Sequence, residues 1–305
     1  MEYILETQNL TKVYHHKEAV KDANLHVKEG QIYGLIGRNG AGKTTIMRMI
    51  SGLSKPTSGS YSLFGKTGLA MQKMLKEVGV LIEAPGLYPR LSAYENLKIK
   101  CIAMGIKPKG YVEGLLKTVG LENTDAKKGA GSYSLGMRQR LGIALALVGD
   151  PKLIVLDEPI NGLDPQGIVE VRETLTRLRD ERGITIMVSS HILDELSKVA
   201  DSYGVIHEGT LLDEFSAEDL HERSGSCLII RTDNLADTVQ LLENMEIHGA
   251  VHEPDGSLRI DQGMERSKEI SSAIVHAGIG LEEIYLRTKS LEDYYLGMTG
   301  GEHNG

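Results

Sequence analysis

Residues 37–45 read Gly-Arg-Asn-Gly-Ala-Gly-Lys-Thr-Thr, with glycines, a lysine and a hydroxyl at the spacing GxxxxGK[ST]. Those residue types suit a chain of phosphates. Gly37, Gly40 and Gly42 let the backbone reach positive φ and turn successive N–H groups inward on phosphate oxygens, with Arg38, Asn39 and Ala41 between them. Lys43 is expected to reach the β- and γ-phosphates, and the Thr44 hydroxyl to face Mg²⁺. The helix that begins around Thr44-Thr45 adds its positive dipole end. Ile32-Tyr33-Gly34-Leu35-Ile36 reads as the strand leading in, and Ile46, Met49 and Ile50 recur at helical spacing on the way out. The expected ligand is a nucleoside triphosphate.

A second cluster complements the first. Lys152-Leu153-Ile154-Val155-Leu156-Asp157-Glu158 is a charged entry, an apolar strand and two acids at its C-terminal end. Beside a phosphate-binding loop, Asp157 suits a Mg²⁺ ligand, direct or through water, and Glu158 suits the group that orients and polarises an attacking water.

The motifs in order resemble the ATP-binding-cassette (ABC) ATPases. Ser134-Leu135-Gly136-Met137-Arg138-Gln139-Arg140 resembles the family's signature loop, and Asn161-Gly162-Leu163-Asp164 its D-loop. Ser189-Ser190-His191 resembles the switch histidine, and Tyr14, after Leu10-Thr11-Lys12-Val13, the aromatic residue that stacks on adenine. The resemblance implies that His191 contacts the γ-phosphate and supports Glu158. It also implies two copies facing head to tail, each ATP lying between one copy's phosphate loop and the other's Ser134, Leu135, Gly136 and Met137.

Two departures narrow the resemblance. Leu81-Ile82-Glu83-Ala84-Pro85-Gly86-Leu87-Tyr88-Pro89 stands where the family usually carries a glutamine, and Leu135 and Met137 stand where glycine and glutamine are usual. Both changes are similar to those in the ATPases of bacitracin-resistance and lantibiotic-immunity exporters, as is the Ser-Leu-Glu-Asp-Tyr run at Ser290 to Tyr294. A glutamate is a stronger ligand for a hard cation than an amide, so Glu83 is expected to join Thr44 and Asp157 at the metal; a second base is the alternative. The partners implied are integral membrane permease subunits, docked near Glu83 to Leu97, and a second copy of the ATPase. The implied location is peripheral, on the cytoplasmic face of a bacterial membrane. An ABC ATPase for another cargo, or a regulatory protein that hydrolyses little, remains the alternative function.

Composition sets the frame for these motifs. The chain has 305 residues, 41% of them hydrophobic, which suits one large domain and a smaller one. A formal charge of −8 argues against an extended nucleic-acid surface. Cys101 and Cys227 read as reduced, inert thiols of a cytosolic protein. The start, Met-Glu-Tyr-Ile-Leu-Glu, has no signal-peptide character. The best apolar stretch, Leu141 to Val148, is far too short to cross a bilayer, so no direct membrane insertion is expected.

The expected fold class is α/β: a phosphate-loop NTPase cassette over residues 1–220, with a mixed sheet core and a helical subdomain at about 88–150, plus a small α+β domain over 221–305. Ser92-x-x-Glu95 predicts a capping box for a helix that stops at Gly105, and Asp164-Pro165 a helix that ends near Gly183. Leu153 to Leu156 and Ile184 to Val188 read as buried parallel strands, and Tyr203 to His207 as a further short strand. Beyond 220 the pattern predicts a ferredoxin-like βαββαβ order: strands at Ser226 to Arg231, Ile247 to His252, Leu258 to Ile260 and Glu283 to Arg287, helices at Leu235 to Met245 and up to about His276. A last helix, Ser290 to Gly297, and a disordered polar tail from Gly300 to Gly305 complete the reading.

Overall fold

The computed structural model describes residues 3–224, 226–288 and 290–299. The tail expected at 300–305 lies outside the described residues. The chain divides into two compact units, Met1–Ala217 and Glu218–Gly305.

In the first unit the strands are β1 (Tyr3–Tyr14), β2 (Lys17–Ala23), β3 (His26–Lys28), β4 (Ile32–Ile36), β5 (Ser58–Leu63), β6 (Val78–Leu81), β7 (Leu153–Leu156), β8 (Thr185–Ser190), β9 (Ser202–His207) and β10 (Thr210–Ser216). The helices are α1 (Lys43–Ile50), α2 (Gly68–Met74), α3 (Ala93–Ala103), α4 (Tyr111–Thr118), α5 (Leu135–Ala146), α6 (Pro165–Arg182) and α7 (Leu193–Leu196). The sheet runs in the order β3-β1-β2-β10-β9-β4-β8-β7-β6, with β5 added on β1.

Its parallel part, β9-β4-β8-β7-β6, explains the sequence pattern. Every residue of β4, β7 and β8 is buried, and Leu35, Val155 and Met187 share a core cluster with Leu5 and Val27 of the antiparallel strands, so these strands show no in–out alternation. The antiparallel strands β1, β2, β3 and β5 form the other wing. One cluster under that wing joins Leu5, Leu25 and Val27 to Leu35, Ile46, Met49 and Ile50, so the helix after the phosphate loop is packed into the main core.

Among the described residues, 88–150 contain helices and no strand. Ser92 and Glu95 make the capping box: Glu95 N donates to Ser92 Oγ and Ser92 N to Glu95 Oε2 at 2.8 Å. Asp164 caps α6, Pro165 opens it, and Gly183 closes it in the left-handed region at φ 63°.

The second unit holds β11 (Ser226–Thr232), α9 (Leu235–Asn244), β12 (Val251–His252), β13 (Leu258–Ile260), α10 (Ser267–His276), β14 (Leu281–Thr288) and α11 (Leu291–Met298), preceded by α8 (Ala217–Ser224), which begins one residue before it. Its sheet is antiparallel in the order β12-β13-β11-β14. Leu228, Ile230, Leu258 and Ile260 pack on Leu242, Ile270 and Ile274 of the two helices α9 and α10. The strand expected at Ile247 to His252 is only Val251–His252 here. Gly249, at φ 78°, takes the backbone out of the extended region, and Ile247 instead fills the core at 3% exposure.

Candidate functional site

The strand β4, the loop 37–42 and the helix α1 form one continuous unit. Gly40 and Gly42 have φ of 82° and 112°, and a Cβ on Gly42 would meet Ala19 O at 2.7 Å, so the close approach to the β1–β2 hairpin requires glycine. Lys43, only 5% exposed, donates from Nζ to Gly37 O at 2.5 Å and to Arg38 O at 3.3 Å, which curls the loop around its ammonium. A cavity of about 700 Å³ opens on this loop. Arg38, Asn39, Gly40, Ala41, Thr44 and Thr45 line it with Lys43 and Gly42, and Tyr14 and Glu158 stand on its wall. Tyr14 is 40% exposed at the end of β1, with Lys12 Nζ 4.9 Å from its ring centroid. Gly37 is not among the residues lining the cavity, and Ile206 O lies 2.5 Å from where its Cβ would be.

The C-terminal ends of β7 and β8 bring the acids to this loop. Thr44 Oγ1 donates to Asp157 Oδ2 at 2.8 Å, and Ser189 Oγ donates to Asp157 Oδ1 at 2.6 Å. The same Ser189 oxygen accepts from Glu158 N at 2.9 Å. Glu158 takes φ 49°, a conformation uncommon for a non-glycine residue, and its two carboxylate oxygens reach different partners. Oε1 lies 3.0 Å from Lys43 Nζ, and Oε2 lies 2.8 Å from His191 Nδ1. Hydroxyl, carboxylate, ammonium and imidazole thus form one connected network at the mouth of the loop. Asp157 is 5% exposed; Glu158 and His191 remain partly open to solvent. At the base of this unit, burial, and after it the Glu214 carboxylate, pushes the Tyr33 phenol well above its ordinary range. Its hydroxyl therefore stays protonated and donates to Glu214 at 2.7 Å, tying β4 to β10.

Glu83 does not join the Thr44–Asp157 pair. It is exposed on the loop after β6, at φ 64°, and its carboxylate takes the guanidinium of Arg48 on α1. One contact, Arg48 Nη2 to Glu83 Oε1, between two exposed side chains holds the carboxylate here, so metal ligation by Glu83 would require that ion pair to open.

Ser134, Leu135, Gly136 and Met137 lie elsewhere and do not line the cavity. Ser134 caps α5, its Oγ accepting from Met137 N at 3.2 Å, and Leu135 is 42% exposed. Asp164 caps α6, accepting from Gly167 N at 3.1 Å. The two helix starts adjoin, since a Cβ on Gly136 would sit 3.5 Å from Gly167 Cα.

Sequence reasoning assigned no role to Ser189, to Arg48, or to the segments that complete the cavity wall, Lys17 to Ala19 at the start of β2 and His207 to Gly209. The signal for Ser189 is a hydroxyl directly after the apolar run Ile184 to Val188 in a fully buried strand, since such a hydroxyl needs a partner.

A strand, a glycine-rich anion loop and a helix, faced by paired acids at the end of β7, a parallel strand one beyond β8 in the same sheet, define a nucleotide-binding phosphate-loop protein. A family model described as ABC transporter matches residues 20–161. The chain belongs to the ATP-binding proteins of ABC transporters, a family of ATPases. It is 42% identical over 303 residues to the bacitracin transport ATP-binding protein BcrA of Bacillus licheniformis, covering 99% of each chain. It is 45% identical over 209 residues to the lantibiotic transport ATP-binding protein SrtF of Streptococcus pyogenes, covering 68% of this chain and 89% of that one. Among solved structures, cbiO1 from Clostridium perfringens, part of the ABC transporter complex cbiONQ, aligns with a TM-score of 0.65 and 29% identity over 72% of this chain and 91% of its own. The ATP-binding cassette MJ0796, in a dimeric post-hydrolysis state with ADP and Pi, aligns with a TM-score of 0.62 and 26% identity over 70% and 98%. No helix among the described residues is long and apolar enough to cross a membrane.

Proposed function

We propose that this chain is the ATP-hydrolysing subunit of an exporter that removes a membrane-active peptide antibiotic, of the bacitracin or lantibiotic kind, through separate membrane permease subunits. The full-length likeness to a bacitracin transport ATP-binding protein supports the cargo class. The observation that carries the chemistry is the shared carboxylate of Glu158, held between Lys43 at 3.0 Å and His191 at 2.8 Å.

In this reading Tyr14 stacks on adenine, and the loop from Gly37 to Thr45 wraps the phosphates, with Lys43 on the β/γ oxygens. Thr44 and Asp157 offer an oxygen pair 2.8 Å apart, a donor set suited to Mg²⁺, which binds through few protein oxygens and keeps its waters. Bound there, the ion would offset charge on the phosphates. Ser189 keeps Asp157 turned toward Thr44. Glu158 accepts a hydrogen bond from the attacking water and aligns it, while His191 fixes the carboxylate's orientation.

Two copies facing head to tail then sandwich each ATP. The start of α5, with Ser134 and Gly136 of one copy, faces the γ-phosphate held by the other, and Asp164 beside it belongs to the same interface. Alternation between the ATP-bound and released pair moves the permease subunits docked near Glu83 to Leu97, with the ATPase at the cytoplasmic face of the membrane.

Glu158→Gln keeps size and most hydrogen bonding but removes the charge that polarises water. ATP turnover should fall about 10²-fold or more, the scale of a general-base contribution, while ATP binding persists. Turnover within a factor of about two of the wild type would remove Glu158 from this role. The cargo is tested in cells expressing the chain with its membrane subunits. Bacitracin or lantibiotic tolerance that does not depend on Lys43 and Glu158 would overturn the export assignment.

A further inference from the structure

The four-stranded sheet of the second unit ends on one side in β12, two residues long, and on the other in β14, eight residues long. Among the described residues β14 pairs with β11 alone, so its outer edge presents a row of backbone N–H and C=O groups. Edge strands are ordinarily blunted by shortness, proline, bulges or charge. The middle of β14 is Ile284-Tyr285-Leu286, with Tyr285 45% and Leu286 58% exposed.

We propose that β14 pairs antiparallel with β14 of a second copy of this chain, about a two-fold axis at Tyr285, so that the two sheets become one. A two-fold axis normal to a sheet sets one residue opposite itself and pairs the others symmetrically around it. The existing register with β11 shows which residues share each row: Leu228 lies beside Leu286, Ile229 beside Tyr285, Ile230 beside Ile284 and Arg231 beside Glu283. With the axis at Tyr285, Ile284 meets the second copy's Leu286 and Glu283 meets the second copy's Arg287.

The residues that meet at the new seam then match in chemistry. Ile230 and Ile284 continue into Leu286 and Leu228 of the second copy, an apolar row throughout. Arg231 and Glu283, already 3.7 Å apart, continue into Arg287 of the second copy, so the charges alternate. Tyr285 stacks beside its own copy, backed on both sides by Ile229. The neighbouring two-fold registers break this order. An axis at Ile284 sets Glu283 against Tyr285 and Glu282 against Leu286, and one at Leu286 sets Tyr285 against Arg287. Like-with-like rows and opposite charges stabilise cross-strand pairs, which selects the register at Tyr285. The same acids and arginine that would deter a foreign strand become complementary to a second copy. This contact needs no ATP, which separates it from the nucleotide sandwich of the first unit.

The test uses the full chain without nucleotide. Cys101 and Cys227 are both buried at 0% exposure, so the wild type is an unreactive background. Under mild oxidation Tyr285→Cys should link to itself. Glu283→Cys and Arg287→Cys should link to each other in a mixture and not to themselves. In sedimentation, Leu286→Lys should weaken the dimer by about tenfold or more, since it sets a charge opposite Ile284, while binding of a non-hydrolysable ATP analogue stays at the wild-type level. Tyr285→Cys that stays monomeric, Glu283→Cys that links to itself as readily, or a dimer that forms only when ATP is added would each overturn the pairing.

Discussion

Ser189→Ala removes a side chain that hydrogen-bonds both acidic residues of the site. The hydroxyl donates to Asp157 Oδ1 at 2.6 Å, accepts from Glu158 N at 2.9 Å, and is 0% exposed, so no solvent replaces it. A hydrogen bond to a charged group contributes about 1.5–3 kcal/mol and a neutral one about 1 kcal/mol, which gives a loss of about 2.5–4 kcal/mol for the pair. In a domain of this size about 1 kcal/mol moves the midpoint by roughly 2–4 °C, so Tm should fall by about 5–16 °C. Part of the loss falls on chemistry. Without Ser189 the peptide of Glu158 is no longer held at φ 49°, and the carboxylate loses its fixed aim at Lys43 and His191. A misalignment costing about 1.4 kcal/mol in the transition state would slow turnover about tenfold. The assays are a calorimetric melt and steady-state phosphate release at saturating ATP. A midpoint within about 1 °C of the wild type, together with unchanged turnover, would refute the claim that this buried hydroxyl organises the two acids.

Lys43→Ala deletes a charge-assisted contact to the phosphates and should weaken a non-hydrolysable ATP analogue by about 10–100-fold in calorimetric titration, from about 1.5–3 kcal/mol; an unchanged dissociation constant would mean the loop does not grip phosphate. Glu83→Gln should leave the Mg²⁺ dependence of hydrolysis superimposable on the wild type if the carboxylate stays on Arg48; a curve displaced to higher Mg²⁺ would instead place Glu83 at the metal. The backbone N–H of Ser92 and then its hydroxyl hold the Glu95 carboxyl below its usual range. A depressed folded-state value means that its stabilisation is complete above the ordinary carboxylate range and is lost as pH falls through the lowered value. Glu95→Gln should therefore melt below the wild type at neutral pH and converge with it in acid, and a gap independent of pH would sink that account.

What could be read without coordinates was local. The phosphate loop, the acids ending β7 and the capped helices α3 and α6 are specified by residues within one or two turns of each other, so spacing and residue type suffice. The buried parallel strands were legible for a related reason: covering both faces of a strand demands apolar residues throughout. The misread stretch, Ile247 to Ala250, failed because one glycine conformation outweighed strand propensity. Only the tertiary structure could join Ser189 to Asp157, Arg48 to Glu83, or the strand ends at Lys17 and His207 to the cavity wall, because these contacts follow from sheet order and helix packing rather than from sequence spacing. Glu83 shows the limit most directly. Its residue type permits a metal ligand or a salt-bridge partner equally, and the choice falls to whichever charge the fold places nearest, here the guanidinium of Arg48 on the phosphate-loop helix.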